Sequence, residues 1–213
     1  MKKEIKACLL DFDGTLVTAD ILDLLCGLVG KEEESREIDA EFHRGEIGGL
    51  ESLIKRINMI SGITKSQIVN LLKKNDFLMP GAKELMKFLK ENNILTIMAS
   101  GNILPVREYY QEILGIDYTV GSNPKIERET LCGIEESSYS SRTYKVDGIK
   151  KILEPLNIQK ENIIAIGDSP ADKGIFEMSG YKIAINPKGD IAQFADAVIK
   201  DDLSRAIDLI KNR

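Results

Sequence analysis

The run Ile5–Leu10 is apolar at all but one position and stops abruptly at Asp11-Phe12-Asp13-Gly14-Thr15. A short run of that kind reads as a strand buried on both faces, which demands a layer on either side of its sheet. Asp11 and Asp13 share a parity, so they project to one side while strand geometry lasts. Two ionised carboxylates held that close repel, unless a cation neutralises them or one takes up a proton. The first remedy suits a hard divalent cation with oxygen ligands. The second leaves an acid beside a nucleophile, the pair that phosphoryl transfer through an aspartyl-phosphate needs. A polar Asx-type turn at a strand end would account for the same residues, so partners elsewhere in the chain decide between the two.

After Thr15 the pattern turns helical. Ile21, Leu24, Leu25 and Leu28 recur at helical spacing, as do Leu50, Leu53, Ile54, Ile57 and Ile60. The charged stretch Lys31–Glu37 between them reads as a solvated helix face or a loop. Thr64-x-x-Gln67 reads as a capping box that opens a third helix through Ile68, Leu71 and Leu72. Residues 16–77 therefore stand as an all-helical cap inserted into an α/β core formed by residues 1–15 and 78–213. The alternative is that these helices simply cover one face of the sheet.

Pro80-Gly81 opens a helix to about Lys90, and Ile94–Ala99 is a second buried strand ending at Ser100-Gly101-Asn102. A helix runs from Pro105 to Leu114 and stops at Gly115. Tyr118–Ser141 yields only short β-like pieces around Asn123-Pro124 and Cys132-Gly133, a small antiparallel excursion. A helix from about Lys145 to Glu154 leads to the strand Ile163–Ile166, which closes on Gly167-Asp168-Ser169-Pro170-Ala171-Asp172. Tyr181–Ile185 and Ala197–Ile199 are further strands. The alternation predicts an α/β protein with a doubly wound parallel sheet.

Composition narrows the function classes. At 213 residues, with 43% hydrophobic and 30% charged side chains, the chain can bury one core or a core with a large insert. A net charge of −5 and no basic run argue against nucleic-acid binding, and no apolar stretch has the length of a membrane span. Met1-Lys2-Lys3-Glu4 leads straight into a core strand and lacks the shape of a signal peptide. Cys8, Cys26 and Cys132 are odd in number and scattered, which fits buried reduced thiols and a cytoplasmic location. The single histidine, His43, reads as a partly exposed helix residue.

Three predicted strands end in polar groups: Asp11 and Asp13, Ser100, and Asp168 and Asp172. Ligands of open α/β sheets bind outside the carboxyl ends of the strands, so these groups should converge on one crevice. Lys145, heading the helix before the third of these strands, supplies a cation at its rim.

Asp11-x-Asp13-Gly-Thr, Ser100-Gly, Lys145 and Gly167-Asp168-x-x-x-Asp172, in that order, resemble the four motifs of the haloacid dehalogenase superfamily of phosphohydrolases. Within it, the helical insert is similar to the cap of the phosphoserine phosphatases of L-serine biosynthesis. The resemblance implies Asp11 as nucleophile and Asp13 as general acid and base. It implies Mg2+ held by Asp11, Asp168 and the backbone carbonyl of Asp13, with Asp172 supporting that shell and positioning the lysine. Phosphate would bind to Ser100, Gly101 and Lys145. In the cap, Asp20 stands where the family places a glutamate for the substrate ammonium, and Arg56 matches the arginine that takes the substrate carboxylate. The partner is then a small phosphorylated metabolite, and the chain a monomer or homodimer without nucleic-acid or membrane partners. Two departures bear on substrate. Gly101-Asn102 replaces paired glycines, and Ala171 replaces an asparagine of the fourth motif. A phosphatase or phosphotransferase for another small phosphorylated metabolite shares every core residue. A receiver module that merely stores a phospho-aspartate is the rival from another class, but Asp13 and the helical insert would have no purpose in it.

Overall fold

The structure, a computed structural model, describes residues 4–213. The Met1–Lys3 part of the N-terminal reading lies outside the described residues. In chain order the elements are β1 (Ala7–Leu10), α1 (Ile21–Gly27), α2 (Glu32–His43), α3 (Gly49–Met59), α4 (Lys65–Lys74), α5 (Ala82–Glu91), β2 (Leu95–Ile103) and α6 (Leu104–Leu114). There follow β3 (Tyr118–Ser122), β4 (Lys125–Glu127), β5 (Thr130–Gly133), α7 (Tyr144–Leu153), β6 (Ile163–Gly167), α8 (Lys173–Glu177), β7 (Tyr181–Ile185), β8 (Ala197–Ile199) and α9 (Arg205–Lys211).

Six strands form one parallel sheet in the order β3-β2-β1-β6-β7-β8. The period of two along each strand divides its side chains between two cores. Cys8, Leu10, Ile164 and Ile166 pack on one face, and Ala7, Leu9, Ile163 and Ala165 on the other. Strand β1 is flanked by β2 and β6, with Leu10 level with both Met98 and Ile166. The chain winds outward from β1 through β2 to β3, then resumes on the opposite side with β6, so the junction of β1 and β6 is the point where strand order reverses. That reversal opens a crevice at the strand ends.

The helices α1 to α4 lie between β1 and α5 in sequence. The Thr64 capping box is formed, with the Thr64 hydroxyl accepting from Gln67 N–H and the Gln67 side chain accepting from Thr64 N–H. The charged stretch after Lys31 is helix α2, whose first turn carries Glu32, Glu33 and Glu34 where negative charge suits the helix dipole.

Three expectations need correction. Strand β2 does not end at Ser100 but continues to Ile103, with its pairing to β3 shifting register between Ala99 and Ile103. Arg107 holds this end in place, donating from Nε to Asn102 O at 3.2 Å and from Nη2 to Ser122 O at 3.1 Å. Tyr118–Ser122 is an edge strand of the main sheet, and only β4 and β5 form the antiparallel excursion. Cys132 is exposed because strand alternation turns it outward while its neighbour Leu131 packs into the core; Gly62 N–H donates to Leu131 O at 2.8 Å and Leu131 N–H to Ile63 O at 2.9 Å, pinning the hairpin to the α3–α4 turn. Cys8 and Cys26 are buried, and all three thiols are free.

Candidate active site

The chain turns back immediately after β1. Asp11 N–H still donates to Ile166 O at 3.0 Å, as a strand residue would. The carbonyl of Phe12 then accepts from the N–H groups of Thr15, Leu16 and Val17 at 2.9–3.1 Å, which closes a tight loop. Phe12 points into the core against Tyr110, their rings 4.9 Å apart, so Asp11 and Asp13 on either side of it face away together. Gly14 has φ +85°, and a Cβ there would stand 2.1 Å from Asp168 Oδ2. Only glycine lets the β1 loop approach the β6 loop this closely.

Asp168 and Asp172 follow β6. The Asp172 Oδ2 accepts from the backbone N–H groups of Asp168 at 2.9 Å and Ser169 at 3.0 Å, the grip of a short helical turn on its own start. Carboxylate oxygens of Asp11, Asp168 and Asp172 lie within 4.8 Å of one another, and all three residues are buried. Burial, then Asp172, push the Asp11 carboxyl well above its usual range, with Lys145 pulling the other way. Buried acidic oxygens gathered without equal positive charge are the donor set a hard divalent cation takes. The three carboxylates fit such an ion.

Asp13 is differently placed. Its Oδ1 accepts from Ile21 N–H at 2.9 Å, and both its oxygens accept from Asn102 Nδ2, at 3.3 and 3.2 Å. Burial, then the charge of Asp20, push its pKa up to about 7. A carboxyl poised there can donate and accept a proton near neutrality.

Ser100 is buried beside this loop, its Oγ accepting from Asn102 N–H at 2.9 Å. A Cβ on Gly101 would meet Leu53 Cδ2 of α3 at 2.7 Å, so helix α3 rests directly on the end of β2. Lys145 lies in the first turn of α7. Its pKa is raised against the pull of burial by Tyr144 and by Asp11 and Asp172. Asp11, Asp13, Gly101, Lys145 and Asp168 all line one cavity of about 970 Å³, bounded on its far side by residues 18–20 and by α2 and α3.

Asp20 and Arg56 border the same cavity, but not as two free groups. Asp20 caps α1, its Oδ1 accepting from Asp23 N–H at 2.9 Å, and the same oxygen accepts from Arg56 Nη2 at 2.7 Å. Arg56 is 3% exposed. Burial opposes its charge, and Asp20, Asp23 and Asp39 more than offset that, so its pKa is raised.

Sequence reasoning missed Asn102, Lys188 and the partners of Arg56. Lys188 Nζ lies 2.7 Å from Asp168 Oδ2, and Lys188 N–H donates to Asp168 O at 2.7 Å. Its signal was its place just past the end of β7, another strand end on the crevice.

Comparison with known proteins gives a consistent result. Residues 5–180 match the family model of haloacid dehalogenase-like hydrolases. The chain is 30% identical over 200 residues to a phosphoserine phosphatase of Archaeoglobus fulgidus, covering 94% of this chain and 58% of that longer protein. It is 29% identical over 214 residues to the phosphoserine phosphatase of Methanocaldococcus jannaschii, covering 99% of this chain and 100% of the other. A solved structure described as a phospho-aspartyl intermediate analogue of phosphoserine phosphatase superposes with a TM-score of 0.85 at 28% identity, covering 97% of this chain and 99% of that one.

Proposed function

The chain belongs to the haloacid dehalogenase-like hydrolases, and from that membership we propose a magnesium-dependent phosphomonoester hydrolase that works through an aspartyl-phosphate and takes phosphoserine as substrate. The observation that carries this reading is the convergence of Asp11, Asp13 and Asp168 at the ends of β1 and β6, with Lys145 lining the same cavity and interacting with Asp11. The similarity to phosphoserine phosphatases over nearly the whole chain supports the substrate.

Asp11 attacks phosphorus as the ester P–O bond breaks, and Asp13 protonates the departing alkoxide. The acyl phosphate on Asp11 is then opened by a water from which Asp13 takes a proton, releasing inorganic phosphate. The 7-range pKa of Asp13 suits both tasks. The Ser100 hydroxyl, the Gly101 N–H and Lys145 hold the transferring oxygens, where charge spreads in the transition state. Asp11, Asp168 and the Asp13 carbonyl would hold magnesium, with Asp172 bracing Asp168 and Ser169 from behind. The ion when bound neutralises carboxylate and phosphoryl charge.

In this reading residues 16–77 form a cap and residues 1–15 and 78–213 the core. The contact of Leu53 with Gly101 and the bond from Ile21 N–H to Asp13 support it, since both join cap helices to catalytic loops. The free thiols support a reducing, cytoplasmic setting for a step of serine biosynthesis. Among the described residues no helix is long and apolar enough to cross a membrane.

Phosphate release from phosphoserine by the full chain tests the proposal. Exhaustive chelation is expected to lower the rate by about 100-fold or more, because a metal ion contributes several kcal/mol of charge stabilisation. Magnesium should restore it and calcium should not, since calcium takes more ligands in a looser shell. Undiminished turnover after chelation would remove the metal from the mechanism.

A further inference from the structure

Asn102 places a polar side chain in the interior at the end of β2, with 1% of the residue exposed. A buried amide costs stability wherever a donor or acceptor goes unpaired. Here each of its polar groups has a partner. The backbone N–H donates to Ser100 Oγ at 2.9 Å, and the backbone carbonyl accepts from Arg107 Nε at 3.2 Å. In the side chain, Oδ1 accepts from Ile103 N–H at 3.1 Å. An N–H can be met only by the amide oxygen, so Nδ2 is the atom turned to Asp13. Its distances to Asp13 Oδ1 and Oδ2, 3.3 and 3.2 Å, are nearly equal.

Asp13 is thus held from two elements. Ile21 N–H, at the start of α1, donates to Oδ1 at 2.9 Å. Asn102 Nδ2 bridges both oxygens from β2. The last torsion of an aspartate side chain is broad, so a carboxyl swings unless its neighbours fix it. A donor on one oxygen fixes a point, whereas a donor shared by both fixes the plane. Among the described residues Asn102 makes the one hydrogen bond that Oδ2 receives. Asn102 is itself held, since buried Arg107 grips its carbonyl and Ser122 Oγ donates to Gly101 O at 2.6 Å.

A group that acts first as acid and then as base serves two partners from one position, the departing oxygen and later a water. In the second step the water oxygen bonds to phosphorus and its proton passes to Asp13. The bond from phosphorus to the Asp11 oxygen breaks, and its electron pair returns to that carboxylate. The carboxyl plane of Asp13 must stay in place through both steps.

We propose that Asn102 is a positioning residue for Asp13, fixing its carboxyl plane so that each proton transfer, and above all the breakdown of the phosphorylated intermediate, depends on it. This rests on the hydrolase reading above and adds a residue to the same site.

The test compares Asn102→Ala and Asn102→Asp with the parent, as magnesium-loaded full chains, on p-nitrophenyl phosphate. The p-nitrophenolate ion departs without a proton, so formation of the intermediate needs no acid and only its breakdown needs Asp13. In Asn102→Ala, kcat should fall about tenfold to a hundredfold, the scale of a misplacement of about 1 Å. KM should fall with it and kcat/KM hardly move, while intact mass shows phosphorylated protein accumulating. On phosphoserine, whose alkoxide needs the acid, kcat/KM should fall as well. Asn102→Asp keeps the shape and the bond to Ile103 N–H but turns an oxygen to Asp13 in place of the donor, so it should lose more than Asn102→Ala. A residue that only kept the strand end in shape would give the reverse order, and its loss would lower kcat/KM and kcat together on p-nitrophenyl phosphate. Either result, unchanged rates in Asn102→Ala, or unfolding of both variants would overturn the proposal. A parent chain that hydrolysed neither ester would instead overturn the hydrolase reading, and this inference with it.

Discussion

Asp11→Asn is expected to abolish turnover of every phosphomonoester, by about ten-thousandfold or more, the scale on which removing a member of a covalent catalytic unit acts. The amide keeps the shape of the carboxylate but offers no nucleophilic oxygen of comparable charge. It also removes one of three oxygens suited to a divalent ion. The fold should survive. Burial and Asp172 raise the Asp11 pKa, so the folded protein binds this proton more tightly than the unfolded chain does. Stability from this group therefore falls as pH rises above the unfolded pKa, and at neutral pH its charge burdens the metal-free fold. The chelated variant should accordingly melt no lower than the chelated parent. Asp13→Asn separates the two carboxylates: it should still allow attack on an aryl phosphate with a good leaving group, while phosphorylated protein accumulates for want of a base. Stopped-flow burst kinetics and intact-mass measurement read both outcomes. Wild-type-like turnover in Asp11→Asn, with deamidation excluded by mass, would end the covalent mechanism.

The elements that could be read from the residues alone are those whose signal is local. Strands β6, β7 and β8 are short apolar runs closed by polar groups, and their limits fall where the runs do. The α4 start is written in Thr64 and Gln67, four residues apart counting both. Strand β3 was not legible because it is an edge strand with Tyr118 44% exposed and no alternation to mark it. The end of β2 differs for another reason: Ser100-Gly101-Asn102 has the composition of a turn, and it is held extended by bonds from Arg107 and from Ser122 of β3, the latter 21 residues away. The gathering of Asp11, Asp13 and Asp168 at one cavity was legible because topology gathers strand ends whatever the loops contain. The partners of Arg56 were not, since Asp23, Ser35 and Asp39 meet it across sequence gaps of 33, 21 and 17 residues. One trace of them existed. Ser35, Asp39 and His43 repeat at helical spacing, a polar stripe on a helix whose apolar residues are few.

Arg56→Ala should first of all weaken the packing of α1, α2 and α3, which Arg56 ties together. Removing one partner of a buried charge cluster leaves the others uncompensated, which costs about 3–5 kcal/mol where the charges cannot rehydrate. Asp20 and Asp39 are open enough to recover some water, so the lower part of that range applies. For a chain of this size each kcal/mol moves Tm by about 2–4 °C, so a fall of roughly 6–12 °C is expected. Asp23 is the strained member, with 12% of its side chain exposed and its pKa already raised by burial and by Asp20. Without Arg56 that pKa should rise further. A carboxyl whose folded pKa lies above its unfolded one costs stability at neutral pH, and the cost disappears as pH falls towards the unfolded value. The deficit between variant and parent should therefore shrink near about pH 4, close to the ordinary carboxyl pKa. The double variant Arg56→Ala, Asp23→Asn should also recover part of the lost Tm at neutral pH, because it removes the most buried of the orphaned charges. An arginine that merely awaited a substrate carboxylate would give the opposite pattern. Its loss would relieve a buried charge, leave Tm unchanged or higher, and show no dependence on Asp23.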